Sequence, residues 1–159
     1  MRWLFLLALL PNLFLAQVNP TWAADQLITA DSKTVTGYVA RINLDKADEV
    51  YEALQRAEAY FQSKQYQDSQ ASSSIPPIAF VIYGPDVEIF FKENYRSFKP
   101  IVDLAARLSA LEVIDVKVCQ VSYEREGLDK ATLLPFVSSV PFGPAEVSRL
   151  LEEQEYSYF

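Results

Sequence analysis

Ile78-Ala79-Phe80-Val81-Ile82-Tyr83 is an unbroken apolar run near the middle of the chain. Because these six consecutive residues leave no hydrophilic side, they predict a strand that is covered on both faces, as at the centre of a parallel sheet. Gly84-Pro85-Asp86 follows at once and predicts a tight turn into a helix with proline at its first position. The run therefore predicts a buried strand that leads into a helix, which is the repeating unit of an α/β fold.

Strands and helices are predicted to alternate on both sides of this run. Residues 34–42, 113–118, 136–140 and 156–159 are predicted strands, because they alternate or are rich in β-branched or aromatic residues. Apolar residues recur at three- and four-residue steps in 47–61 and 98–111, and shorter helices or turns are predicted for 122–127, 130–134 and the residues after Gly143. Strands that alternate with helices are joined by right-handed crossovers, so the sequence predicts a mostly parallel sheet between helix layers.

One domain is predicted for residues 34–159, since no internal repeat or second domain is visible. Within it, residues 63–77 are rich in glutamine and serine and end in Pro76-Pro77, which predicts a mobile loop. Residues 24–33 are predicted to be a polar lead-in to the domain.

The first residues of the chain resemble a secretory signal peptide. Arg2 precedes an apolar run, and small residues at Thr21 and Ala23 suit cleavage after Ala23, so residues 1–23 are predicted to be removed. An uncleaved anchor is the alternative, but the run is shorter than the roughly 20 residues of a spanning helix and contains Pro11. We therefore expect an exported protein, periplasmic in a Gram-negative bacterium, with no membrane attachment after cleavage.

Composition excludes several classes of function. The chain has 14 basic and 21 acidic residues, a net charge of −7 and no basic run, so nucleic acid is not an expected partner. It has no histidine, which excludes Ser-His-Asp and Cys-His catalysis and removes the imidazole ligands that metals commonly use. Gly84 is a lone turn glycine and not a phosphate-binding loop, so no cofactor or metal is expected.

Cys119 is the only cysteine and follows directly on the predicted strand 113–118. Carboxyl ends of strands are where open α/β sheets place ligands, so Cys119 is the candidate reactive residue, and Tyr83, Gly84, Ser122 and Arg125 are candidates for the rim of its site. A helix that starts at Ser122 favours a thiolate by about 0.3–1 kcal/mol, which is less than one pKa unit, so a strongly activated nucleophile is not predicted. The alternative is a small buried hydrophobic residue, which is the commoner role of a free cysteine.

Three segments of the chain carry a family resemblance. These are Ile82-Tyr83-Gly84-Pro85-Asp86-Val87, then Val116-Lys117-Val118-Cys119 with Ser122 three residues on, then Leu133-Leu134-Pro135 through Val140-Pro141-Phe142-Gly143 to a closing helix and an aromatic tail. Together they resemble the DsrE/DsrF-like family. The resemblance implies a flavodoxin-like three-layer α/β/α sandwich of about five mostly parallel strands, a small homo-oligomer, and a persulfide carried on the cysteine at the position of Cys119.

The chain departs from that family pattern at three positions. Relatives often have histidine where Tyr83 stands and glycine where Glu112 and Glu155 stand.

Two functions follow from the sequence. The first is an exported sulfur carrier or sulfur-relay protein that accepts persulfide sulfur on Cys119 from one protein partner and passes it to another. It predicts a partly exposed thiol that iodoacetamide alkylates. The second is a non-enzymatic binding or oligomeric scaffold module in which Cys119 is structural, and the sequence leaves open whether the protein is an enzyme.

Overall fold

The computed structural model of the protein describes residues 35–42, 46–68 and 76–159. The predicted signal peptide, the predicted lead-in and residues 69–75 of the predicted loop lie outside the described residues. Within these ranges, no helix combines the length and the apolar character that a membrane crossing requires.

The described elements alternate along the chain as the sequence predicts. The strands are β1 (Tyr38–Val39), β2 (Ile78–Ile82), β3 (Ile114–Cys119), β4 (Val137–Val140) and β5 (Ser157–Tyr158). The helices are α1 (Ala47–Asp68), α2 (Lys99–Ala110), α3 (Gln120–Arg125) and α4 (Gly143–Glu152), and three 3₁₀ segments cover Pro85–Phe90, Lys92–Asn94 and Lys130–Thr132.

The five strands of the described ranges form one parallel sheet in the order β4-β3-β2-β1-β5. All five residues of the central strand β2 are buried, as its unbroken apolar run predicts. The prediction of a flavodoxin-like α/β fold with about five mostly parallel strands is confirmed.

The strand order determines how the helices are distributed over the two faces. The chain steps in one direction from β1 to β4, and right-handed crossovers in one direction place their helices on the same face. That face carries the larger core, where α1 and α2 pack on alternate residues of β2 and β3 such as Phe80, Ile82 and Val116. The return from β4 to β5 places α4 on the opposite face, where Leu150 packs with Val39, Ala79 and Val81.

Helix α1 is longer than the sequence indicates. Val50, Leu54 and Ala57 of the predicted apolar face are buried, together with Ala53, but the helix continues to Asp68. The prediction of a loop that begins at residue 63 is therefore wrong for residues 63–68. Glutamine and lysine are good helix formers and no glycine or proline occurs between Ala47 and Pro76, so polar composition alone was a poor guide to where this helix ends.

The segment after β2 is a 3₁₀ helix, Pro85–Phe90, and not the expected start of a regular helix. Four apolar residues of this segment are fully buried: Val87, Ile89, Phe90 and Phe91. An α-helix would bury only one stripe of its surface, and these closely spaced residues do not lie on one stripe. Phe91 then adopts extended dihedral angles and bridges to Leu133, which ends the 3₁₀ turn.

Candidate functional site

The candidate site lies at the carboxyl edge of the sheet, between β3 and β4. These neighbouring strands leave toward opposite faces, since β3 continues into α3 on the larger-core side and β4 continues into α4 on the other. Strands that diverge in this way leave a crevice at their carboxyl ends, where α/β proteins bind ligands. Cys119 is the last residue of β3 and pairs with Val140 of β4, so the only thiol of the chain lies at this point.

The side chain of Cys119 lies on the α4 side of the sheet. Ile114, Val116 and Val118 belong to the larger core, and side chains alternate along a strand, so Cys119 faces the opposite way. Gly143, the first residue of α4, is thereby brought beside the thiol.

Several hydrogen-bond donors converge on the Cys119 sulfur. Burial of the sulfur raises the pKa of the thiol, but the Ser122 hydroxyl and the nearby backbone N–H groups of Gly143, Ser122 and Val121 lower it by more, so that the pKa is lower than usual. The Val121 N–H is shared with the carbonyl oxygen of Pro141 at 3.5 Å. Because each of these groups favours a negative charge on sulfur, the site stabilises a thiolate or another sulfur-centred anion.

Gly84 orients the hydroxyl that reaches the sulfur. The Gly84 N–H, in the turn after β2, donates a hydrogen bond to Ser122 Oγ at 3.0 Å. The single proton of the Ser122 hydroxyl can therefore be donated to the Cys119 sulfur. Gly84 has φ 74° and ψ −157°, a conformation that essentially only glycine adopts. The turn glycine therefore has a specific role, which is to direct a backbone N–H at Ser122.

Tyr83 forms the wall behind Gly143. A Cβ atom built on Gly143 meets Tyr83 Cδ1 at 2.9 Å and Tyr83 Cβ at 3.0 Å, so the ring leaves no room for a side chain there. Glycine at this position lets α4 begin close to β2 and brings its first N–H group to the sulfur.

Ion pairs hold the first turn of α4 against the sheet. Lys117 of β3 lies 3.8 Å from Glu146 Oε1, and Glu146 accepts two hydrogen bonds of 2.8 Å from Arg149. Hydrogen bonding to the Arg149 guanidinium, opposed by partial burial and assisted by the charges of Arg149 and Lys117, lowers the pKa of Glu146. These contacts fix α4 and thereby fix Gly143 relative to Cys119.

The structure brings together four of the five candidates from the sequence. Cys119, Ser122 and Gly84 are linked by hydrogen bonds, and Tyr83 packs on Gly143 beside them. Arg125, in contrast, is exposed at the last residue of α3, at the far end of that helix from the thiol.

The thiol is less accessible than the sulfur-carrier hypothesis predicts. Cys119 is only 1% exposed, so the expectation of partial exposure is wrong for this conformation. The reason is that α3 and α4 both begin next to the sulfur and cover it with backbone. Two apolar side chains beside it, Val121 and Phe142, are 43% and 51% exposed.

Within the described ranges, no group of three or more Cys, Asp or Glu residues is placed to hold a metal ion. The chemistry that the site offers is therefore that of one sulfur atom among hydrogen-bond donors.

No protein-family model matches the sequence. Nor does any curated protein match it. Among solved structures, a protein of unknown function from Methanobacterium thermoautotrophicum, MTH1491, is similar in fold. It has a TM-score of 0.53 and 17% identity over 77% of this chain and 96% of that chain. At this level of identity the likeness shows a shared fold and nothing further.

Gly143 and Val121 are the site residues that the sequence did not indicate. They act through backbone N–H groups, which every residue except proline has, so residue type carries no signal for them. The one usable signal was position, because Gly143 follows the end of a strand and carboxyl ends of parallel strands lie along the same edge.

Proposed function

We propose that this protein is a sulfur carrier that accepts a sulfane sulfur on Cys119 and passes it to a second thiol. The observation that carries the proposal is the place of one buried sulfur at the end of β3, beside the Ser122 hydroxyl and the starts of α3 and α4, whose groups lower the pKa of the thiol. A purely structural cysteine needs no such donors, since it packs as a small apolar side chain. The resemblance of three segments to the DsrE/DsrF-like family supports the same function.

The transfer is a displacement at sulfur that needs no oxidant or reductant. The Cys119 thiolate attacks the outer sulfur of a donor persulfide, R–S–SH, forming the Cys119–SSH bond as the donor S–S bond breaks and R–S⁻ leaves. Unloading repeats the step, as an acceptor thiolate attacks the outer sulfur and Cys119 departs as thiolate. The donors stabilise Cys119 as attacking group in the first step and as leaving group in the second.

A buried sulfur has to become accessible for each transfer. The groups that cover it are the first turns of α3 and α4, which meet at the weak 3.5 Å contact between the Val121 N–H and the Pro141 carbonyl. Separation of these two turns exposes the thiol without disturbing the sheet. Val121 and Phe142, both about half exposed, then provide an apolar surface for the partner protein that delivers or receives sulfur.

Mass spectrometry of the intact protein tests the proposal. After incubation with glutathione persulfide, we expect a mass increase of one sulfur atom that a small thiol removes, no increase in Cys119→Ser, and slower loading in Ser122→Ala. Ser148→Ala, which changes an exposed serine of α4, is the matched control and should load like the natural protein. Failure of the folded natural protein to gain sulfur contradicts the proposal.

The burial of Cys119 favours a second candidate, a binding or scaffold module in which the thiol is structural. In that case Cys119→Ser disturbs stability but no sulfur transfer exists to be lost, and alkylation requires denaturant. Sulfur loading and alkylation, measured on the natural protein and on Cys119→Ser, therefore distinguish the two candidate functions.

We further propose that the carrier is exported, with residues 1–23 removed as a signal peptide, and that it forms a small homo-oligomer. Arg2, the apolar run after it and the small residues at Thr21 and Ala23 support export. Amino-terminal sequencing of protein secreted from an expression host tests the predicted cleavage after Ala23.

A further inference from the structure

A cleft of about 310 Å³ lies at the carboxyl ends of β1 and β2, away from Cys119. Its walls come from β1 and the residues after it, from β2, from α4 and from β5. The lining residues are Val39, Ala40, Arg41, Ile42, Val81, Tyr83, Val147 and Tyr158. The volume is at the lower end of the range of about 300–1,000 Å³ found for small-molecule sites in proteins.

The fold explains why this space is left open. Strands lie about 4.8 Å apart, whereas one helix with its side chains is about 10 Å wide, so a single helix covers roughly two strands. Helix α4 is the one helix of the described residues on its face of the five-stranded sheet. Leu150 of α4 packs on Val39 at the end of β1, so the open space begins at the residues that follow β1 and at β5.

The lining combines aliphatic side chains with polar groups and one cation, and more of its accessible surface is polar than apolar. Five of the eight lining residues are aliphatic, none is acidic, and Arg41 supplies the positive charge. The Arg41 guanidinium lies 4.5 Å from the centroid of the Tyr158 ring, which is 50% exposed. In the described part of the chain Arg41 makes no ion pair with a carboxylate.

We propose that this cleft binds a small organic anion with a planar apolar body, of the class of aromatic carboxylates. Stacking on Tyr158 fixes the plane of the guanidinium, which leaves its N–H groups to bind a carboxylate in the two-point manner that arginine favours. The aliphatic walls accept the apolar body, which a bare inorganic anion lacks. None of the groups that donate to Cys119 lines the cleft, although Tyr83, which packs on Gly143 beside the thiol, forms part of its wall.

Calorimetric titration of the full chain with phenylacetate tests this site, with phenylacetamide as the neutral probe of the same shape. We expect saturable binding of phenylacetate and binding of phenylacetamide that is at least about tenfold weaker, because the amide lacks the charge that Arg41 pairs with. Arg41→Gln should weaken phenylacetate binding by a similar factor, and Arg96→Gln, which changes an exposed arginine elsewhere, should not.

A second pair of variants tests the location. Val147→Phe fills the cleft from α4 and should abolish binding, whereas Val121→Phe enlarges an exposed side chain outside it and should leave binding intact. Cys119→Ser should bind phenylacetate like the natural protein, so that loss of sulfur loading and loss of this site are separate results. Equal affinity for both probes, or unchanged affinity in Arg41→Gln, would overturn the proposal.

Discussion

At the scale of single residues, the environment of Cys119 connects its ionisation to the stability of the fold. Burial raises the pKa of the thiol, and the hydrogen bonds from Ser122, Gly143 and Val121 lower it further than burial raises it. The folded-state pKa is therefore below the unfolded value of about 8.5. The stability contributed by the thiolate is fully present above that unfolded value and is lost as pH falls through the folded-state pKa.

The variant Cys119→Ala lacks the pH-dependent stability that the thiolate contributes. We expect the free energy of unfolding of the natural protein, relative to that of the variant, to increase as pH rises from the folded-state pKa to the unfolded value of about 8.5. Urea unfolding of both proteins at each pH measures the difference, and other titrating groups cancel because both proteins share them. A difference that stays constant or shrinks over this range contradicts the assignment of the donors.

The second prediction concerns Ser122, the one side chain among the donors. Ser122→Ala removes the hydroxyl hydrogen bond to Cys119, so the pKa of the thiol should rise. The ultraviolet absorbance of the thiolate, taken as the difference from a Cys119→Ser background, reports the titration without the tyrosines. Ser148→Ala should leave the titration unchanged, and an equal shift in both serine variants counts against a direct hydrogen bond.

Residue type revealed the thiol, the hydroxyl and the turn glycine of this site, because each has a distinctive side chain or conformation. Residue type did not reveal the N–H groups of Gly143 and Val121. It also placed Arg125 at the rim of the Cys119 site, whereas Arg125 lies at the far end of α3. Side-chain direction on a six-residue helix depends on where the helix starts, and α3 starts at Gln120 and not at the expected Ser122.

At the scale of elements, the closure of β5 on β1 depends on a glycine. The Ser157 and Phe159 N–H groups donate to the carbonyls of Gly37 and Val39 at 3.1 and 2.9 Å. The Tyr156 ring crosses Gly37 so closely that a built Cβ meets it at 2.3 Å. Residue 37 therefore has space for the hydrogen atom of glycine but not for a Cβ atom.

Gly37→Ala should therefore release the last strand. We expect a loss of about 1–3 kcal/mol in the free energy of unfolding, typical of overpacking, and faster hydrogen exchange at the Ser157 and Phe159 amides. Gly127→Ala is the control, since nothing lies within 4 Å of its added Cβ and only its φ of 70° is strained. Unchanged exchange of both amides in Gly37→Ala would count against this role of the glycine.

Replacement of Glu112 by glycine is expected to stabilise the protein. It connects α2 to β3 with φ 57°, a left-handed conformation that costs a residue with a Cβ about 1–2 kcal/mol. Glu112→Gly should raise the free energy of unfolding by about 0.5–1 kcal/mol after the greater flexibility of glycine in the unfolded chain is counted. The control Glu124→Gly, within helix α3, should lower the free energy of unfolding. If Glu112→Gly also lowers it, the left-handed conformation of Glu112 is not strained.

Glu155 adopts the same left-handed conformation as Glu112, with φ 58°. Apolar runs and periodicities predicted which elements exist, because burial of those side chains is required in any α/β fold. Element ends were less predictable. Helix α1 runs past its apolar stripe to Asp68, and β1 has only two residues, both of which pair with β2 and with β5.

At the scale of the whole molecule, the strand order explains both candidate sites. Cys119 lies where β3 and β4 diverge, and the cleft beside Arg41 lies at the carboxyl ends of β1 and β2. Alternation along the sequence predicted parallel strands, but not that β5 would pair with β1, because that choice depends on tertiary contacts such as Tyr156 on Gly37.

The edges of the sheet carry the prediction of self-association. The edge strand β5 has two residues and the half-exposed Tyr158, and exposed strand edges favour pairing with another chain. We expect light scattering after size exclusion to give a small homo-oligomer, and Tyr158→Asp to shift it toward monomer. A monomer at every concentration contradicts this prediction.

We propose that the folded protein presents Cys119 for reaction through a local opening of the α3 and α4 turns. The most direct test is the rate of iodoacetamide alkylation of the native protein as urea is raised toward the unfolding transition. We expect alkylation in the absence of urea at a rate that stays nearly constant until the transition begins, since a local opening exposes little surface. A rate that rises with urea in parallel with the unfolded fraction, from almost nothing in buffer, would contradict the claim and leave Cys119 a structural residue.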